Sequence, residues 1–160
     1  MSAYLNDRGQ SFFHRTEQGW PLSHMAAVRI EASVLQEICH HAQAHAPLEC
    51  CGLLSGDSDV ITKAHPFRNV LRSSVRFEMD PRDLFHFFKE LRSSNSRHLG
   101  IYHSHPSSEA YPSETDISES YYPDCSYFIV SLKGSGSPQA RAFRIRAAAV
   151  EELEILTVES

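Results

Sequence analysis

Apolar positions recur along this chain with two periods. Leu35, Ile38, Cys39 and Ala42 stand at i, i+3, i+4 and i+7, the stripe of a helix seated on a core. Pro47 ends it. Leu84, Phe87, Phe88 and Leu91 repeat the stripe, and here the start is marked too. Asp80 suits the N-cap, Pro81 the first helical position and Asp83 the first turn, while Ser93–Ser96 breaks the pattern. The remaining apolar segments read as strands. Met25–Ile30 is a short one. Cys50–Ser55 is continuously apolar, so buried, and Gly56-Asp57 turns it. Val60–Asn69 predicts a second strand, and Val75–Met79 alternates and predicts a third. His98–His103 and Tyr127–Leu132 are further strands, and Ala142–Ala147 and Leu153–Val158 follow the turn at Gly134–Pro138. Ser113-Glu-Thr-Asp116 has the form of a capping box opening a short helix. The pattern is a mixed sheet with two or three helices, an α/β (α+β) fold without internal repeats. Residues 1–25 lack periodicity and are interrupted by Gly9, Gly19, Trp20 and Pro21. They read as a loosely attached N-terminal extension to a domain spanning 26–160.

Composition narrows the class. The chain has 160 residues, 41% hydrophobic and 22% charged, which fits one globular domain and excludes wholesale disorder. No apolar run reaches the roughly 18 residues of a membrane span, and the N-terminus lacks the basic-then-apolar form of a secretory signal. With 15 basic against 20 acidic residues, the net charge of −5 disfavours nucleic acid as a main partner. Cys39, Cys50, Cys51 and Cys125 form no C-x-x-C pair. That argues against a disulfide framework or zinc ribbon and for a reducing, cytoplasmic setting.

The chemistry concentrates at His103-Ser104-His105. Residues i and i+2 of a strand point to one side, so both imidazoles can grip one metal. Asp116, in the first turn of the short helix, could fold back to complete a His₂Asp set with an open fourth position, the form of a catalytic zinc site. Two strand histidines with ordinary hydrogen bonds are the plainer alternative. Glu49 sits beside the apolar run of Cys50–Ser55, either as an exposed loop residue or as a general base. Ser113 is an N-cap that could also face a metal. Rival sites are weaker. His41 and His45 are four apart on a helix, but the glutamate of a His-Glu-x-x-His motif is missing, and a solvated face is expected. Cys50 and Cys51 read as inert buried thiols. No zinc-deaminase signature is present, and Phe85, Phe87 and Phe88 are expected in the core.

Taken in order, Glu49, His103-Ser104-His105, seven residues from Pro106 to Pro112, then Ser113-x-x-Asp116 resemble the complete JAMM motif of the catalytic MPN-domain (MPN+) metalloproteases. Pro47-x-Glu49-x-Cys51-Gly52-x-Leu54 and Phe77-Glu-Met-Asp80-Pro81 are similar to the compact prokaryotic branch. The resemblance covers about residues 26–160. It implies an MPN-type, cytidine-deaminase-like fold with a mixed, curved sheet. It also implies one Zn²⁺ per chain on His103, His105 and Asp116, with Glu49 as acid/base and Ser113 steadying the tetrahedral intermediate. The substrate it implies is a ubiquitin-like sulfur-carrier protein, cut after its terminal Gly-Gly to release an amino acid such as cysteine, or a short extension. No membrane or nucleic-acid partner is expected, and the oligomeric state is left open, a homodimer included. Two alternatives stand beside this: a non-catalytic MPN scaffold that binds protein, and a RadC-like protein associated with DNA. The loop bearing Glu109 and Tyr111 is either a gate to the groove or a plain connection.

Overall fold

The computed structural model describes residues 4–5, 11–12 and 26–160. Strands β1 (Tyr4–Leu5) and β2 (Ser11–Phe12) pair antiparallel. Apart from them, the expected extension over 1–25 lies outside the described residues. The rest runs β3 (Ala27–Glu31), α1 (Ala32–His45), β4 (Cys51–Asp57), β5 (Val60–Phe67), α2 (Pro81–Arg92), β6 (Arg97–His105), α3 (Glu114–Ser118), β7 (Ser126–Ser131), β8 (Gln139–Arg146) and β9 (Ala149–Val158).

The mixed sheet is curved far enough to close. Its strand order is β3-β5-β4-β6-β7-β8-β9, and β3 pairs parallel with both β5 and β9, which seals a barrel. Period-two alternation sorts side chains into two cores. On one face, α1 lays Val34, Ile38 and Ala42 against residues that include Leu54, Tyr102 and Phe128. On the other, Phe87 of α2 joins Cys51, Leu53, Ile101 and Ile129. Helix α2 starts as its sequence dictates: the Asp80 side chain accepts from the Arg82 amide at 2.8 Å and Pro81 opens the first turn. Phe87 is core, and Leu84, Phe88 and Leu91 pack around it. Phe85, expected with them, instead stands 60% exposed at the edge of that stripe.

Val75–Met79 is not a strand, despite its alternation. Only one isolated bridge forms there, Asn69 to Met79, because the Asn69 side chain takes over the pairing. Its Nδ2 donates to the carbonyls of Glu49 (3.1 Å), Arg76 (2.9 Å) and, more weakly, Ser73 (3.5 Å). Its Oδ1 accepts from the amides of Leu71 and Glu78 at 3.1 and 3.2 Å. One buried amide thus replaces a ladder and folds residues 70–79 into a loop that ends over β6.

The sheet centre is crowded. A Cβ on Gly52 of β4 would run into the Tyr102 ring and come within 2.5 Å of the His65 carbonyl oxygen. Glycine is therefore required beside β6 for packing, which fixes the strand that carries the histidines. Strand β6 is paired on both edges, antiparallel to β4 and parallel to β7, and its last six residues are buried. Held on both edges and out of water, it is a rigid mount for His103 and His105.

Candidate metal centre

Along β6, Ile101, His103 and His105 point to the α2 side of the sheet, and Tyr102 and Ser104 to the α1 side. Ser104 serves structure alone: its Oγ accepts from the Cys50 amide at 2.8 Å. The two imidazoles emerge at the carboxyl end of the strand, where the parallel β6–β7 pairing obliges the chain to cross over. That crossover contains α3.

Helix α3 brings the third group. Ser113 and Asp116 cap each other: the Asp116 amide donates to Ser113 Oγ at 3.1 Å, and the Ser113 amide and hydroxyl both donate to Asp116 Oδ2 at 2.7 Å. So held, the carboxylate meets both rings. Oδ1 lies 3.3 Å from His103 Nε2 and Oδ2 lies 3.4 Å from His105 Nε2. The two Nε2 atoms are themselves 3.0 Å apart. His103, His105 and Asp116 are the only His/Cys/Asp/Glu group with metal-ligand spacing among the described residues.

The donor set fits a cation. His105 Nδ1 donates to the Glu109 carbonyl oxygen at 2.7 Å, so its Nε2 keeps a lone pair for a ligand. Two ring nitrogens at 3.0 Å beside a carboxylate repel one another unless a proton or cation lies among them. Two imidazoles and a carboxylate match the borderline-soft donor preference of zinc. Burial alone would raise the Asp116 carboxyl, but hydrogen bonds to His103 and His105 and to the Ser113 amide hold it well below the usual carboxylate range. Burial also works to lower His105, and the Asp116 contact overrides it and raises that ring.

Glu49 is buried, only 4% exposed, at the entry to β4. Its backbone is pinned from both ends: the amide donates to the Ser73 carbonyl at 2.8 Å and the carbonyl accepts from Asn69. Burial pushes its carboxyl up to about 7, against the pull of His105 and with an added push from Asp116. A carboxyl titrating near neutrality beside a cation site can both take and give a proton. All five residues singled out in the sequence, Glu49, His103, His105, Ser113 and Asp116, therefore belong to one neighbourhood.

Three contributors were not singled out as site residues in the sequence. Phe77 stacks on His103 with ring centroids 4.7 Å apart. Asn69 anchors the loop that delivers Phe77. The third is a backbone carbonyl, that of Glu109, whose identity as a hydrogen-bond acceptor no side chain announces. Its own side chain turns away to Lys133 at 3.2 Å, and Tyr111 packs edge-on to Phe143. The loop from Pro106 to Pro112 thus orients His105.

The rival sites dissolve. His41 is half-buried and bonds through Nδ1 to the Tyr102 hydroxyl at 2.7 Å, while His45 Nδ1 turns to the His41 carbonyl. The expected solvated face holds for His45 and not for His41. Burial pushes the thiols of Cys50 and Cys51 up to about 11 and about 12, so neither is a nucleophile. No helix among the described residues is long and apolar enough to cross a membrane.

Comparison with known proteins bears on the family and the fold. A family profile described as prokaryotic homologs of the JAB domain matches residues 31–146. A desampylase of Haloferax volcanii is 37% identical over 105 residues, covering 64% of this chain and 76% of its own. The CysO-cysteine peptidase of Mycobacterium tuberculosis is 32% identical over 132 residues, 81% of this chain and 90% of its own. A solution structure of a protein from Desulfitobacterium hafniense superposes with a TM-score of 0.75 at 33% identity, over 83% of this chain and 94% of that one. A JAB1/MPN domain protein from Archaeoglobus fulgidus shares the fold, with a TM-score of 0.54 at 24% identity over 81% of this chain and 98% of its own.

Proposed function

The chain belongs to the prokaryotic homologs of the JAB domain, and from that membership we propose that it is a zinc-dependent JAMM metallopeptidase acting on ubiquitin-like proteins. Its substrate is a ubiquitin-like sulfur carrier, hydrolysed at the bond after the terminal Gly-Gly. The observation that carries the reading is the convergence of His103 Nε2, His105 Nε2 and the Asp116 carboxylate within hydrogen-bonding reach of one another, with the buried Glu49 beside them. Relatives described as a desampylase and a CysO-cysteine peptidase support the substrate class.

His103, His105 and Asp116 would hold one Zn²⁺. When bound, zinc supplies Lewis acidity, making a water acidic near neutral pH and polarising a carbonyl. The rest is done by the chain. Glu49 removes a proton from the attacking water and delivers it to the departing amine. One water is added across the C–N bond, leaving a carboxyl on the diglycine end and an amine on the released group. A carboxyl near pKa 7 is suited to both halves of that transfer. Ser113 would turn its hydroxyl from Asp116 Oδ2 to the developing oxyanion while its amide keeps Asp116 in place. The Glu109 carbonyl fixes the His105 tautomer, and Phe77 fixes the plane of the His103 ring. A diglycine tail can lie close to such a site because it brings no Cβ to clash.

Intact mass spectrometry tests this directly. A Gly-Gly carrier bearing a short C-terminal extension, incubated with zinc-loaded protein, is expected to lose the mass of everything beyond the second glycine. An unchanged carrier across several such proteins would overturn the reading.

A further inference from the structure

A cavity of about 560 Å³ opens beside Glu49, on the side formed by the end of α1 and the end of β5. Leu48, Pro66 and Phe67 wall it, and Arg68 and Arg72 stand at it. Glu49 is the sole carboxylate of its lining. Both guanidiniums are available. Arg68 meets Asp80 only at 3.8 Å, with its side chain 75% exposed, and Arg72 makes no ion pair among the described residues. His41, also in the lining, is held down at about 4 by burial and by its neighbour His45, so it adds no charge at neutral pH. In a chain of net charge −5, two exposed arginines beside a buried carboxyl run against the overall balance.

We infer that this cavity is the leaving-group subsite, and that Arg68 and Arg72 take the free α-carboxylate of a short C-terminal segment, down to a single amino acid, released beyond the cleaved bond. The inference rests on the hydrolase reading above and specifies its leaving group. The geometry is a matter of bond counting. In a one-residue leaving group, the α-carboxylate is separated from the departing nitrogen by a single carbon. The group that protonates that nitrogen, Glu49, therefore has the carboxylate as its neighbour. In an isopeptide, the departing nitrogen ends a four-carbon lysine stem and brings no carboxylate near. Guanidinium groups bind carboxylates in bidentate fashion, and the apolar wall accepts a small apolar or thiol side chain.

The test is a comparison of leaving groups. A ubiquitin-like carrier ending in Gly-Gly-Cys is prepared as the free acid and as the C-terminal carboxamide, and kcat and KM are measured for each. The free acid is expected to be preferred at least tenfold, mainly through KM. The preference should fall towards one in R68A/R72A and survive in part in R68K/R72K. Circular dichroism would confirm that each variant is folded. Equal kcat/KM for acid and carboxamide in the unmodified protein, or a preference that persists in R68A/R72A, overturns the subsite while leaving the hydrolase intact. Cleavage of neither substrate overturns the hydrolase reading and this inference with it.

Discussion

Ser113 and Asp116 are bound to each other three times over, and the Asp116 oxygen that accepts the Ser113 amide and hydroxyl at 2.7 Å is the same oxygen that faces His105 at 3.4 Å. A helix cap and a metal-facing carboxylate are therefore one structure. Removing the hydroxyl should disturb both. Ser113→Ala is expected to cost about 0.5–2 kcal/mol of stability as a lost cap. It should also weaken metal affinity or turnover roughly 10–100-fold, as the loss of an outer partner of a ligand does. Urea denaturation and zinc titration of the same variant separate the two. A variant that loses stability and keeps full affinity and turnover would reduce Ser113 to a cap.

Glu49→Gln should retain bound zinc and lose turnover by about 10²–10⁴-fold, the usual worth of a positioned acid/base. Metal analysis alongside kcat checks this. The same variant has a stability signature in metal-free protein. The Glu49 carboxyl is pushed by burial from an ordinary 4.5 up to about 7 in the fold, so the native state binds its proton more tightly than the unfolded chain. Its contribution to stability is fully present below pH 4.5 and is lost as pH rises through 7. Metal-free Glu49→Gln is thus expected to melt at or near the wild-type temperature at about pH 4, and above it at about pH 8. Equal melting temperatures at both would show that Glu49 is solvated.

What could be read from the sequence was what local chemistry decides. Asp80-Pro81 and Ser113-x-x-Asp116 are caps because side-chain oxygens reach amides two or three residues away. His103 and His105 share a face because strands have period two. Features that depend on distant partners stayed hidden. Val75–Met79 has the alternation of a strand, yet Asn69 satisfies the backbone groups that a neighbouring strand would have used. Barrel closure requires β3 to lie beside β9, more than a hundred residues away, and no periodicity encodes that. The stacking of Phe77 on His103 and the hold of the Glu109 carbonyl on His105 depend on where two loops land. Phe85 faces water because a helix that turns Phe87 to the core carries position 85, two residues earlier, away from it, at the edge of the stripe beside the partly buried Phe88.

Zinc should raise the melting temperature, since it binds the fold and not the unfolded chain. At a free concentration about 100 times its dissociation constant, the gain is about 2.7 kcal/mol, or on the order of 10 °C for a domain of this size. Chelator should reverse it. His103→Ala and Asp116→Ala should abolish the shift, since each removes one of three donors. Differential scanning fluorimetry across a zinc series provides the check. A full shift in Asp116→Ala would place the metal elsewhere.

Asn69 touches no reacting group, yet its variants should impair the site. Its orientation is unambiguous: Nδ2 faces carbonyls, and Oδ1 faces two amides. Truncation in Asn69→Ala strands these backbone groups in a buried setting, at roughly 1–3 kcal/mol for each that water cannot reach. A total of about 2–4 kcal/mol is expected by urea denaturation. Asn69→Asp is the sharper test, because it keeps the shape and the acceptor. The carboxylate would point an oxygen at the carbonyls of Glu49 and Arg76, repelling the loop from both. Since that loop carries Phe77 to His103 and its Ser73 carbonyl holds the Glu49 amide, kcat should fall in Asn69→Asp even at temperatures where the variant is fully folded. Wild-type kcat in folded Asn69→Asp would mean that Glu49 and His103 are positioned without the loop.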